Sequence, residues 1–237
     1  MARIMTSSTS SAPAEELTNY FRLSRLLVDV GSQALREVFD GIHPPERLHL
    51  FLSSQRASLS LLREGKKQVL NSTQWEKVYP RNPSTPSSGN FDITLLMVLL
   101  GKTYGLSLSA GDSERVPPAT DKSTEADIAR LKFFRNMVCA HSNQVSLNNV
   151  TFNTYWQDIS KVLLRLGGAK CRTLIKRLKS ENMDTDVGCH YQELLKQWVQ
   201  DEGKIKEKLK QIGGIFLKFK RFTNALSFVR ASVKHWR

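Results

Sequence analysis

The stretch NFDITLLMVLLGKTY, residues 90–104, decides the fold. Leu95, Leu96, Met97, Val98, Leu99 and Leu100 follow one another without a polar break. The run is too short to cross a bilayer, which takes about 20 apolar residues. It lacks the period-2 alternation of a half-buried strand. A helix that is apolar nearly all round must be enclosed by other elements. Residues 91–104 therefore predict the central helix of a bundle.

The flanking segments supply its neighbours. Upstream, Leu17, Tyr20, Phe21, Leu27, Val30, Leu35, Val38 and Phe39 recur at helical spacing and predict one amphipathic helix over 15–42. Gly41 and Pro44-Pro45 end it, and residues 46–70 read as the next helix. Ser72 or Thr73 can cap a short turn carrying Trp75, and the Pro- and Ser-rich residues 80–89 read as a loop. Downstream, 107–122 is a second loop. Thr124 with Asp127 resembles a capping box and predicts a helix over 124–142, with Ile128, Leu131, Phe134 and Val138 inside. Asn148 or Asn149 caps a helix carrying Phe152, Trp156, Ile159, Leu163 and Leu166. Gly167-Gly168 should end it, before a short basic helix over 170–180.

No hairpin turn, strand-like alternation or internal repeat occurs. The fold class is all-α, a bundle of four to five helices with additional C-terminal helices. Those lie at 189–212 and 215–237. In the first, Leu195, Trp198, Ile205, Leu209 and Ile212 form an apolar seam that Glu202 interrupts. The organisation expected is a disordered polar leader at 1–13, a helical domain at 14–180 and a basic helical tail at 189–237.

Charge is concentrated at one end. The 237 residues carry a net +13, yet residues 161–237 hold 18 basic and 7 acidic groups. The last helix interleaves Ile215, Phe219, Phe222, Leu226, Val229 and Val233 with Lys218, Lys220, Arg221, Arg230 and Lys234. A basic amphipathic helix can touch RNA, an anionic membrane surface or a protein partner, or simply pack on the bundle. Three cysteines exclude a disulfide scaffold and suit a reducing compartment. No secretory leader is visible, so a cytoplasmic location is expected.

Most enzyme signatures are missing. Gly101-Lys102-Thr103 ends like a phosphate-binding loop, but Leu96 stands where its first glycine is needed. Cys139, Cys171 and Cys189 are too scattered for zinc and read as small buried hydrophobes. No metal and no cofactor is expected.

One pattern remains, RNMVCAH at 135–141. Metal-free RNA cleavage needs a group that exchanges a proton near neutral pH and a cation that holds phosphate. Histidine and arginine meet those needs. Spacing alone is weak, because 17 arginines and five histidines produce such a pair about once by chance. It occurs three times, as Arg36/His43, Arg135/His141 and Arg230/His235. The plain alternative makes Arg135 a surface charge and His141 a helix C-cap. Residues i and i+6 stand about 120° apart on a helix. Arg135 and His141 converge only if the helix ends near Ala140 or two copies pool their residues.

Several blocks together carry a resemblance. They are residues 90–100, Pro117-Pro118 to Asp121, Glu125 to Arg130, Phe133 to Asn136 with Ala140-His141, Phe152, and Trp156 to Ile159. In this order they resemble the HEPN domain of the DAZ-interacting zinc-finger E3 ubiquitin ligase and related multidomain immune-sensor-like proteins. The likeness runs from about residue 18 to 170. It implies an all-α bundle that often forms a homodimer. Many HEPN domains are metal-independent endoribonucleases that leave 2′,3′-cyclic phosphate ends. That role would fall on His141 as acid/base, Arg135 as phosphate clamp and Asn136 as polar organiser. Other members bind RNA or proteins without cutting. Two readings follow: an RNA-binding, dimeric endoribonuclease, or a non-catalytic interaction and oligomerisation adaptor in innate-immune or stress signalling. What separates them is whether Arg135, Asn136 and His141 lie open in one cleft or are tied up in ion pairs and caps.

Overall fold

The computed structural model describes residues 11–63, 69–81, 85–104 and 116–234; side chains at 11, 12, 143, 206, 209 and from 212 onward are outside the description. The described residues fold into helices and contain no strand. The order is α1 (Ser11–Arg25), α2 (Gly31–Ile42), α3 (Leu48–Arg63), α4 (Ser72–Val78), α5 (Ile93–Tyr104), α6 (Thr124–Ala140), α7 (Asn149–Ser180) and α8 (Thr185–Lys234).

α5 is the enclosed helix. Every residue from Ile93 to Gly101 is buried. Asp92 starts it by accepting from the Leu95 backbone N–H at 2.8 Å. The expected helix over 15–42 is nearly continuous, but one π-helical turn, Leu26–Val30, joins α1 to α2. The wider turn keeps Leu26, Leu27, Val28 and Val30 all in the core. The second helix is described over Leu48–Arg63; residues 64–68 of the stretch expected to be helical lie outside the described residues, and 69–70 are not helical.

Three caps follow the chemistry of short polar side chains. Asn71, rather than Ser72 or Thr73, caps α4 and shares a full capping box with Gln74. Ser123, one residue before the expected Thr124, caps α6 by accepting from Ala126 at 3.2 Å. Asn148 caps α7 by accepting from Thr151 at 2.9 Å.

The double glycine at 167–168 bends α7 instead of ending it. Gly168 has φ +59°, a left-handed angle that favours glycine, and the helix resumes to Ser180. The expected short helix at 170–180 is thus the last third of α7. Likewise Gly213-Gly214 does not break α8, which runs as one helix through both positions. α8 is seated against α1 at Gly188, where an added Cβ would stand 2.1 Å from the Phe21 ring. Cys171 is buried as expected, whereas Cys139 is half-buried and Cys189 exposed. Among the described residues no helix is long and apolar enough to cross a membrane.

The candidate site on α6

α6 carries two buried charge clusters, one at each end. At the N-terminal end, Asp127 is 1% exposed. It accepts from Arg130 at 2.6 Å and from both Nε and Nη2 of Arg165 on α7 at 2.6 Å. Arg130 Nη2 also donates to the carbonyls of Pro118 and Asp121. Asp127 and Arg130 therefore pin the Pro117–Asp121 loop to the bundle. These are the same residues that stand out in the sequence blocks, and their work is architectural.

At the C-terminal end sits Arg135, 2% exposed. Its Nε and Nη2 donate to the Asn136 Oδ1 at 3.1 and 2.7 Å. Its Nη1 forms an ion pair with Glu202 Oε2 of α8. Its guanidinium lies 4.7 Å from the centre of the buried Trp198 ring. Lys132 Nζ reaches the other Glu202 oxygen at 3.6 Å. Burial pulls the Arg135 guanidinium down from its ordinary value, and Glu202 opposes that pull. The acid that interrupts the α8 apolar seam is thus the counter-ion for two cations on α6. An ionised side chain on a buried seam requires a partner, and this was the one sequence signal for the pairing.

α6 ends at Ala140. His141 is its C-cap and opens a 3-10 turn, His141–Asn143. The His141 carbonyl accepts from Val145 at 2.9 Å, and Gln192 of α8 donates to the Ser142 carbonyl at 3.2 Å. A shallow surface depression of about 430 Å³ is lined by Arg135, Asn136, Cys139, Ala140, Glu202 and Gly203, with Val199 beside them. Arg135 and Asn136 therefore meet, and His141 is not part of the depression. Within it Cys139 has its thiol pushed up from its ordinary value by burial, so it is a poor nucleophile. Among the described residues no group of three His, Cys, Asp or Glu side chains could hold a metal. The side chains of Lys218, Lys220, Arg221, Arg230 and Lys234 lie outside the described residues.

An all-α bundle with this α6 motif defines the class of protein, a HEPN-like fold. The description "DZIP3/hRUL138-like HEPN" matches residues 45–191, and the chain belongs to that family. It is similar to the mouse E3 ubiquitin-protein ligase DZIP3, 30% identical over 152 residues. The human E3 ubiquitin-protein ligase DZIP3 is 30% identical over 151 residues. In each case the match covers 63% of this chain and 12% of the relative. No solved structure matches.

Proposed function

We propose that this chain acts as a non-catalytic HEPN interaction module, in which Arg135 fastens α8 to the bundle rather than clamping RNA phosphate. One observation carries the reading: Arg135 is enclosed and its guanidinium is already shared between Glu202 and Asn136. A phosphate would have to displace a buried carboxylate from that guanidinium, breaking the Arg135–Glu202 contact that faces α8 onto α6. His141 serves as a C-cap outside the depression. The partner is a protein surface, a second copy of the chain among the options, since HEPN domains often pair. The stretch shared with the E3 ligases is 12% of their length.

The test uses a mixed-sequence RNA in chelator with the parent, His141→Ala and Glu202→Gln. We expect no fragments ending in 2′,3′-cyclic phosphate from any of them. Cleavage by the parent that disappears in His141→Ala would overturn the reading in favour of the endoribonuclease. Cleavage by Glu202→Gln alone would make α8 the latch of a dormant nuclease. Self-association is read by sedimentation of the same samples.

A further inference from the structure

A cleft between α3 and α4 gathers three further arginines, Arg56, Arg63 and Arg81. His49, Ser53, Arg56 and Arg63 step along one side of α3 at helical spacing. Trp75 of α4, with Tyr79 and Arg81 just after it, faces them across a cleft of about 470 Å³. The two walls of the cleft are tied together. Tyr79 donates its hydroxyl to the Leu52 carbonyl at 2.6 Å. α4 is held by its capping box, and Gln74 donates to Asp92 at 3.0 Å. The Trp75 and Tyr79 rings stand 4.6 Å apart at 49°.

On this platform the guanidiniums lie over aromatic rings. Arg56 is 4.7 Å from the centre of Tyr79, and Arg63 is 5.1 Å from the centre of Trp75. Neither makes an ion pair or hydrogen bond among the described residues. Arg81 is 85% exposed and stands 3.6 Å from Glu76, the one acid in the lining. Three arginines thus face one carboxylate. A guanidinium lying over a ring can offer a face to a base and its N–H groups to a phosphate. That pairing of stacking surface and cation recurs where single strands are held without sequence preference. A proline-rich peptide needs bare ring faces, which the arginines cover here. A peptide bearing one phosphate would leave most of the cations idle. A chain of net charge +13 also draws polyanions towards it.

We propose that the α3–α4 cleft binds single-stranded RNA, with Arg56 and Arg63 holding successive phosphates and stacking bases. This goes beyond the interaction-module reading, because binding here is independent of Arg135 and His141 and involves no cleavage.

The experiment measures anisotropy of a labelled ten-nucleotide uridine RNA with the full chain. It compares the parent, Arg56→Ala/Arg63→Ala, and the charge-matched Arg172→Ala/Lys176→Ala on the exposed side of α7. Circular dichroism checks that all three are folded. We expect the cleft variant to bind about tenfold more weakly or worse, since each stacked base and phosphate contributes substantially. Its salt dependence should fall by about 0.7 in log–log slope per arginine removed, as for single strands. The α7 variant should stay within about twofold of the parent. Uridine monophosphate should compete more strongly than inorganic phosphate. Equal losses in both variants would overturn the proposal and leave only diffuse attraction. So would the absence of RNA binding by the parent, or tight binding of a phosphotyrosine peptide in its place.

Discussion

Arg135 and Arg56 each sit 4.7 Å from the centre of an aromatic ring, yet they have opposite fates. Arg135 lies beneath α8, which brings both the ring, Trp198, and the acid, Glu202. Arg56 has a ring from the C-cap of the next helix and no ion pair with an acid among the described residues. The cation–π contact does not decide whether an arginine is available. A third element that covers the pair and brings a counter-charge does. Arg135, inside a recognisable motif, is closed, whereas Arg56, outside it, is exposed.

The hardest blow to that contrast is Glu202→Ala. It removes the Glu202 carboxylate from the buried Arg135, and losing one partner of a buried pair costs about 3–5 kcal/mol. Urea unfolding should show this as a lower midpoint. Exchanging all three, Lys132→Leu, Arg135→Met and Glu202→Leu, should recover most of the loss, because apolar groups of similar size need no counter-ion. If Glu202→Ala unfolds like the parent, the cluster is not what holds α8.

Gly188→Ala tests the same closure from a distance. The new Cβ would meet Phe21, and overpacking of this kind costs about 1–3 kcal/mol. The α6 charges are untouched, so faster hydrogen exchange in α8 and at Arg135 would show that the seating of α8 is what closes the site. Unchanged exchange would separate the two.

Arg56→Ala/Arg63→Ala should cost about 1 kcal/mol in stability, the scale of exposed cation–π contacts. A much larger loss in urea unfolding would mean that these arginines brace the fold and are not held open.

The smallest effect expected is a pH dependence near α3. His43 stacks on Phe51 with ring centres 3.7 Å apart, and its Nε2 lies 2.9 Å from Thr103 Oγ1. Burial lowers its folded pKa below the ordinary histidine value. Below about pH 6.5 the unfolded chain therefore binds more protons than the folded one. The stability present above that pH declines as pH falls, and levels off below the folded value. His43→Asn should flatten this slope. A histidine NMR titration with its midpoint at or above the ordinary value would refute it.

Much of the fold was legible in residues close together in sequence. The apolar run at 95–100 required an enclosed helix, and the periodicity of the flanking segments identified its neighbours. Caps were read to within a residue: Asn148 directly, Ser123 and Asn71 one residue from the positions expected. Glycine pairs were harder. A double glycine ends a helix when nothing else holds the two halves, but packing against α1 and α2 carries α7 past Gly168 as a bend.

The candidate site was legible only as a list of residue types. Sequence alone determined that Arg135, Asn136 and His141 stand near the end of one helix, because turn and cap propensities are local. Only the tertiary structure decided that Arg135 is enclosed, that Glu202 is its partner and that His141 stands outside the depression. The same holds for the cleft, where Arg56 and Tyr79 look unremarkable until the turn after α4 returns the ring to α3. The reason is physical. Helix periodicity is a property of neighbouring residues, whereas the state of a charge depends on desolvation and on counter-charges brought from distant parts of the chain.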